Sequence, residues 1–189
     1  MAGRVSEATQ ALLKDLQEWG AEDLDTLRSR LGTERFDALE AAGFIRCDKT
    51  THGQPFVVIG SEGRRMVNIM PLKYKVTGDA AAIHLKRREA RTLLKARGYT
   101  FDRVYDRTLF CFRAPNGERA YLAVSSHVGT SGFSVRNVNR LLARYTDLLQ
   151  GGDKLIVGTS APYRLNSLAA RHPDVLIVLP LEVKNVTFD

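Results

Sequence analysis

The chain has 189 residues, of which 44% are hydrophobic and 26% charged, a composition typical of a globular protein with one domain or two small ones. It contains no apolar run long enough to span a bilayer and no signal peptide, and its two cysteines, Cys47 and Cys111, form no CxxC pair. These features exclude a membrane-spanning protein, a zinc knuckle and a disulfide framework, and they predict a reduced, cytoplasmic location.

The net charge of +7 is concentrated in the second part of the chain. Residues 1–75 hold 11 Lys/Arg and 11 Asp/Glu, whereas residues 76–189 hold 17 Lys/Arg and 10 Asp/Glu. An excess of this sign favours a polyanionic partner. The alternative is a basic surface with no binding role.

The first part of the chain predicts three short helices, over residues 6–20, 21–32 and 33–43. Ser6 and Thr33 are the expected N-caps of the first and third helices, and a glycine ends each of the three. The expected core stripes of these two helices are Leu12, Leu13, Leu16 and Trp19, and Phe36, Leu39 and Ala42.

Two strands joined by a polar loop are predicted over residues 44–60, FIRCDKTTHGQPFVVIG, followed by SEGRRMV. Three helices followed by a hairpin resemble the helix–wing arrangement of winged-helix proteins, over about residues 6–67. The resemblance implies a winged helix-turn-helix domain at 1–70. Pro71 and Gly78 then predict a linker at 71–78.

Residues 79–189 predict an α/β domain with a mixed central sheet. A long helix ends near Gly98, two or three strands fill 100–126 with a hairpin turn at Asn116-Gly117, and a helix runs from a Ser134 cap to Gly151. A strand (153–160), a helix (161–173) and a last buried strand (174–183) complete the unit.

This order of elements resembles the core of the PD-(D/E)XK nucleases, in which an Asp on one strand and Glu-x-Lys on the next hold Mg²⁺ for phosphodiester hydrolysis. The stretch GERAYLAVSS aligns with the Glu-x-Lys strand and places Ala123 and Ser125 at the Glu and Lys positions. The Asp position falls near Cys111 or Phe112, with Asp106 further out. The match therefore implies the fold without the metal site or the nuclease activity.

A second resemblance, to the replication-relaxation family of plasmid and mobile-element proteins, covers about residues 6–180. It depends on AIHLKRREARTLL, AYLAVSSHVGT and VNRLLARYTDLL. The family combines a winged helix with a degenerate nuclease-like domain, although its strand acids are Ala123 and Ser125 here. The resemblance implies binding to double-stranded DNA in plasmid or mobile-element replication or transcription.

Candidate phosphate contacts are the lysines, arginines and one histidine that fall on predicted surfaces. On the helix of residues 80–97 they are Arg87, Arg88, Arg91 and Lys95, with His84 along the same side. Ala82, Leu85, Leu93 and Ala96 are expected to cover the sheet from another side. On the helix after Ser134 they are Arg136, Arg140 and Arg144. In and after the predicted wing they are Arg46, Lys49, His52, Arg64 and Arg65. For each helix the alternative is a solvated charged face.

The third helix, TERFDALEAAG, carries three acids against Arg35, so it is a poor major-groove reader, and the wing is the better candidate. The alternative is that the winged helix packs on protein. The histidines show no metal-ligand spacing, His127 beside Ser125 and Ser126 lacks an evident orienting acid, and GTSG (129–132) lacks the Gly-Lys-Ser/Thr of a phosphate loop. We therefore expect no enzyme activity, cofactor, metal or small-molecule substrate, and double-stranded DNA as the partner. The alternative is a protein-interaction module such as a homodimer.

Overall fold

The computed structural model describes residues 6–68, 76, 78–106, 109–125 and 133–182. Its contacts divide the chain into two units, with the change between Leu85 and Lys86. This division falls inside a helix that begins at Gly78, whereas the sequence favoured a linker at 71–78. Residues 71–75 and 77 of that linker lie outside the described residues.

Unit 1 contains helices and a small sheet. Its elements are, in chain order, α1 (Glu7–Trp19), β1 (Glu22–Asp23), α2 (Leu24–Leu31), α3 (Thr33–Ala41), β2 (Ile45–Lys49), β3 (Pro55–Ile59), α4 (Ser61–Met66) and the first half of α5 (Gly78–Ala96). The sheet has the order β1-β3-β2 and is antiparallel throughout. Glu22 pairs with Val57, and Arg46 pairs with Val58.

One face of this sheet forms the core of unit 1 with the first three helices. Leu13, Leu16, Leu27, Phe36 and Val57 are all buried in one cluster. The helical spacing of the leucines in α1 predicted this burial, and Ser6 caps α1 by accepting a hydrogen bond from the Thr9 amide. Gly20 and Gly43, at φ +81° and +72°, end α1 and follow α3 as expected, because this backbone region favours glycine.

The other face of the sheet packs on α5. Phe56 and Val58 are buried against Ala81 and Leu85, and Ala21 joins this second cluster. Successive side chains of β3 therefore pack alternately into the two apolar clusters on opposite faces of the sheet. This explains why PFVVI is apolar throughout.

Three details of the predicted helices of unit 1 are wrong. Glu22 and Asp23 form a strand instead of a helical turn, and the Asp23 carboxylate caps α2 by accepting from the Thr26 amide at 3.1 Å. Gly32 takes the cap position of α3 without a side-chain bond, so Thr33 is the first helical residue rather than the cap. Ala42 is exposed and follows the end of α3.

Unit 2 is built on a five-stranded mixed sheet. Its elements are the second half of α5, β4 (Thr100–Val104), β5 (Leu109–Arg113), β6 (Arg119–Val124), α6 (Val135–Arg144), α7 (Thr146–Gln150), β7 (Lys154–Thr159), a 3-10 turn (Pro162–Leu165), α8 (Asn166–Arg171) and β8 (Leu176–Pro180). The strand order is β4-β5-β6-β7-β8, antiparallel up to β6 and parallel from β6 to β8. The predicted mixture of helices and a mixed central sheet is confirmed.

The hairpin between β5 and β6 turns where the sequence predicted. Ala114 and Glu118 close the turn by an amide–carbonyl bond of 2.8 Å, and Gly117 has φ +86°. The sequence left two or three strands open for residues 100–126, and the structure has three.

One face of the large sheet carries the core cluster of unit 2. Tyr121, Ala123 and Val157 of the strands are buried there with Val138 and Leu149. The last two lie on α6 and α7, which connect β6 to β7. The predicted single helix over 134–152 is interrupted at Tyr145, whose backbone leaves the helical region at φ −111°, ψ 24°. The Tyr145 ring at this break is buried in the same cluster.

The buried Asp153 carboxylate, just before β7, accepts hydrogen bonds from two side chains of β6. The Tyr121 hydroxyl donates to Asp153 Oδ2 at 3.2 Å, and Arg119 Nε donates to Asp153 Oδ1 at 3.3 Å. Burial, together with the negative charge of Asp153, raises the pKa of Tyr121 to about 12.

We expect this tyrosine to make folding stability pH-dependent at high pH. Its pKa in the folded chain exceeds that of an unfolded tyrosine, about 10, so its contribution is full below pH ~10 and is lost as the pH rises toward 12. Denaturant midpoints measured across this window will fall more steeply for the wild type than for Tyr121→Phe. Equal falls in the two proteins would contradict the assignment.

Candidate nucleic-acid interface

Helix α6 presents a basic, solvent-exposed stripe. Its N-terminus is fixed by Ser134, whose hydroxyl accepts from the Asn137 amide at 3.2 Å. Val138 is fully buried, and Leu141 and Leu142 are partly buried against the core. The opposite side is exposed and carries the three predicted arginines, here called the α6 stripe: Arg136, Arg140 and Arg144.

The C-terminal end of α6 is held by a bond that the sequence did not reveal. The Tyr145 hydroxyl donates to Asp106 Oδ2 at 2.6 Å, and Asp106 Oδ1 accepts from the Leu109 amide at 2.8 Å. The Arg144 guanidinium lies 5.3 Å from the centre of the Tyr145 ring. The bond between Tyr145 and Asp106 fixes the C-terminal end of the helix that carries the stripe. The two residues are far apart in the chain, so the sequence did not predict their contact.

The predicted wing is a hairpin with an exposed tip. Thr50 holds the loop, since its carbonyl accepts from the Gly53 amide and its hydroxyl from the Gln54 amide. Lys49 and His52 are exposed at this tip. Thr51 Oγ1 donates to Asp79 Oδ1 at 2.8 Å, so the tip is tied to the start of α5.

The other predicted contacts of unit 1 are paired or partly buried. Arg46 lies 3.4 Å from Asp48, and Arg65 lies 2.8 Å from Glu62 on the same turn of α4. Arg64 is partly buried. Surface pairs of this kind contribute little to stability, so Arg65 can exchange its partner for a phosphate at small cost.

The predicted basic face of α5 is largely withdrawn from solvent. Arg88 is 8% exposed, and the Arg87 guanidinium stacks 4.9 Å from the centre of the Phe110 ring. Burial lowers the pKa of Arg87, while the charge of Asp106 opposes this. Arg91 is partly buried, and Lys95 alone of the four is exposed.

The buried face of α5 differs from the one that we predicted. Ala81, Leu85, Ala90 and Leu94 are buried, whereas Ala82 and Leu93 are partly exposed and Ala96 is exposed. Of the predicted covering set, Leu85 alone is buried. Because Ala80, Ala81 and Ala82 are consecutive, the sequence pattern did not determine which side of the helix is buried. The aliphatic parts of the arginine side chains also cover apolar surface, so some charged residues lie on the buried side.

Helix α3 exposes acids, as expected from its sequence. Glu34, Asp37 and Glu40 are all exposed, and Asp37 pairs with Arg28 at 3.0 Å. The Arg28 guanidinium also lies 4.8 Å from the centre of the buried Phe36 ring. This face repels phosphate, which argues against α3 as a major-groove reader.

The acidic residues of α3 also affect the Cys47 thiol, whose pKa is raised. Burial, a hydrogen bond to Glu40 and the charge of Glu40 raise its pKa from 9.0 to about 12. Because the thiolate is the nucleophile, and because its higher basicity offsets part of the loss of thiolate, we expect iodoacetamide to modify native Cys47 at least about tenfold more slowly than an unshifted thiol near neutral pH. Mass spectrometry after timed quenching measures this. Glu40→Gln will accelerate the reaction, and an unchanged rate in that variant would exclude a role for the carboxylate.

An exposed tyrosine–arginine pair that the sequence did not indicate follows β7. Tyr163 is 67% exposed, and the Arg164 guanidinium lies 5.7 Å from the centre of its ring. The sequence predicted a helix here, but no periodicity distinguishes an exposed tyrosine from a buried one. Aromatic rings with neighbouring arginines are suited to stacking on bases.

The strand that resembles the nuclease motif is buried. Ala123 is 3% exposed and pairs with Leu109, and Ser125 is 1% exposed. Among the described residues, no cluster of three His, Cys, Asp or Glu side chains that would hold a metal ion occurs. His127, Ser126 and the GTSG stretch lie outside the described residues.

Within the same described residues, no helix has the length and apolar character needed to cross a membrane. Comparisons of the chain with protein-family models, with curated proteins and with solved structures give no match.

Proposed function

We propose that the chain binds double-stranded DNA without cleaving it, as an accessory of plasmid or mobile-element replication or transcription. The observation that carries the proposal is the α6 stripe. Its three arginines are exposed, lie four residues apart on one side of a helix and are held on a packed support. Arginines in such an array contact successive phosphates and release counterions, which supplies sequence-independent affinity.

The topology of unit 1 supports a winged-helix interpretation. A helix, a short strand, two helices and a hairpin follow one another, with β3 between β1 and β2. In this interpretation the hairpin is the wing, and its tip presents Lys49 and His52. The acidic surface of α3 makes the wing, rather than the third helix, the part that approaches phosphate.

The topology of unit 2 supports a nuclease-like core without its chemistry. A helix precedes three antiparallel strands, and two parallel strands follow. At the positions of the metal-binding acid and the lysine stand a buried alanine, Ala123, and a buried serine, Ser125. An alanine supplies no ligand to Mg²⁺, and a serine supplies no cation.

The proposal is tested with a labelled duplex of random sequence and the full chain. Fluorescence anisotropy at low salt is expected to show binding, and gels of the same samples with Mg²⁺ are expected to show an intact duplex. Absence of binding would refute the DNA proposal, and Mg²⁺-dependent cleavage would refute the absence of nuclease activity.

A protein-interaction role is the second candidate, and the exposed edge of the large sheet favours it. β4 is an edge strand, and Val104 and the following Tyr105 are 44% and 41% exposed. Unpaired strand edges with apolar side chains are sites of association. Sedimentation of the free chain across a concentration series distinguishes a homodimer from a monomer.

A further inference from the structure

A pocket of about 280 Å³ lies within unit 1, lined by side chains of two kinds. Its apolar lining includes Leu16, Val58 and Ile59, from α1 and β3. Its polar lining includes Arg46, Arg64 and His84, from β2, α4 and α5. Apolar walls with a few polar groups are the usual composition of small-molecule sites, and the volume is close to the lower end of their range, roughly 300–1,000 Å³.

The polar wall of the pocket is held in place by the fold. Arg46 lies directly opposite Val58 in the β2–β3 pair, so the strand register fixes its stem. The His84 ring packs against Gly20, where a Cβ atom would overlap the imidazole. Gly20 thus serves two purposes, because its positive φ also ends α1.

Arg46 has capacity for a further acceptor. Its Nε is buried and makes no hydrogen bond to any residue that the structure describes. Its terminal nitrogen lies 3.4 Å from Asp48, but the two side chains are 41% and 50% exposed, so this pair is weak. A buried donor without an acceptor costs free energy, which an anionic ligand would recover.

We propose that this pocket binds a small organic carboxylate with an apolar body. The carboxylate accepts hydrogen bonds from Arg46 and Arg64, and planar guanidinium groups match its two oxygens. The apolar body packs on Leu16, Val58 and Ile59. This proposal does not depend on DNA binding, and the test below contains no DNA.

The probes are 4-phenylbutyrate, its neutral amide and inorganic phosphate, measured by isothermal titration calorimetry with the full chain. The amide keeps the body and removes the charge, and phosphate keeps the charge and removes the body. We expect the carboxylate to bind at least about tenfold more tightly than either. Equal binding of carboxylate and amide, tighter binding of phosphate, or no binding of the carboxylate would overturn the proposal.

Variants locate the site. Arg46→Met and Arg64→Met keep the apolar part of each side chain and are expected to weaken carboxylate binding at least about tenfold. The matched control is Arg65→Met, which lies in the same helix as Arg64 but outside the pocket lining, and it is expected to bind as the wild type does. Gln17→Trp places a large ring at an exposed position of the pocket rim and is expected to abolish binding while leaving both arginines intact. Circular dichroism verifies folding, and wild-type affinity in the folded arginine variants or in Gln17→Trp would overturn the assignment.

Discussion

The triple variant in which glutamate replaces Arg136, Arg140 and Arg144 is expected to bind a random duplex at least about a hundredfold more weakly at low salt. The three side chains are exposed on one side of α6, so the change removes three phosphate contacts and adds repulsion at the same place. The buried side of α6 is untouched, and Val138 keeps the helix on the core. Anisotropy titrations of both proteins measure the ratio of dissociation constants.

The matched control is the triple variant Lys14→Glu, Arg35→Glu and Arg171→Glu, which changes three exposed residues on α1, α3 and α8. Each replacement removes two units of charge, so both variants lower the net charge from +7 to +1. If DNA binding depends on the α6 stripe, the control loses far less affinity. Equal losses in the two variants would show that total charge, rather than this helix, governs binding.

Replacing Phe36 with alanine is expected to destabilise unit 1 by about 3–5 kcal/mol, the usual cost of removing a buried phenylalanine. Phe36 is fully buried on α3 among Leu13, Leu27 and Val57, so the ring joins the helices to the sheet. A loss of this size is a large part of the total stability of a typical domain, about 5–15 kcal/mol. Denaturant unfolding followed by tryptophan fluorescence measures it, because the chain has one tryptophan, Trp19 in α1.

Glu34→Ala is the control for this variant, since Glu34 is exposed on the same helix. An exposed substitution of this kind changes stability by less than about 0.5 kcal/mol. A Phe36→Ala protein that unfolds at the wild-type midpoint would contradict the three-helix core described for unit 1.

Elements with a strong period or a clear end signal were predictable from the sequence. The spacing of Leu12, Leu13, Leu16 and Trp19 indicated the buried side of α1, and all four are buried. Ser134 and Asn116-Gly117 marked a helix start and a hairpin turn by local hydrogen bonds alone. Local geometry determines these features, so no knowledge of distant contacts was needed.

Features that depend on distant partners were not predictable. Glu22 becomes a strand because it pairs with Val57, 35 residues later in the chain. The break at Tyr145 coincides with the bond of its hydroxyl to Asp106. The rotation of α5 is the one that buries Ala81 and Leu94. For the same reason, the arginines predicted on the surface of α5 are buried or partly buried, whereas those predicted on the surface of α6 are exposed. The apolar residues of α6 allowed one rotation of the helix, and those of α5 allowed several.

The direct test of DNA binding through phosphate is the salt dependence of the wild-type affinity for a random duplex. With at least three phosphate contacts, the plot of log affinity against log salt concentration is expected to fall with a slope of roughly −2.7 or steeper, about −0.9 for each contact. The α6 charge-reversal variant should give a slope shallower by about that amount. A flat wild-type plot, or no measurable binding at the lowest salt, would contradict DNA binding and turn the search toward a protein partner.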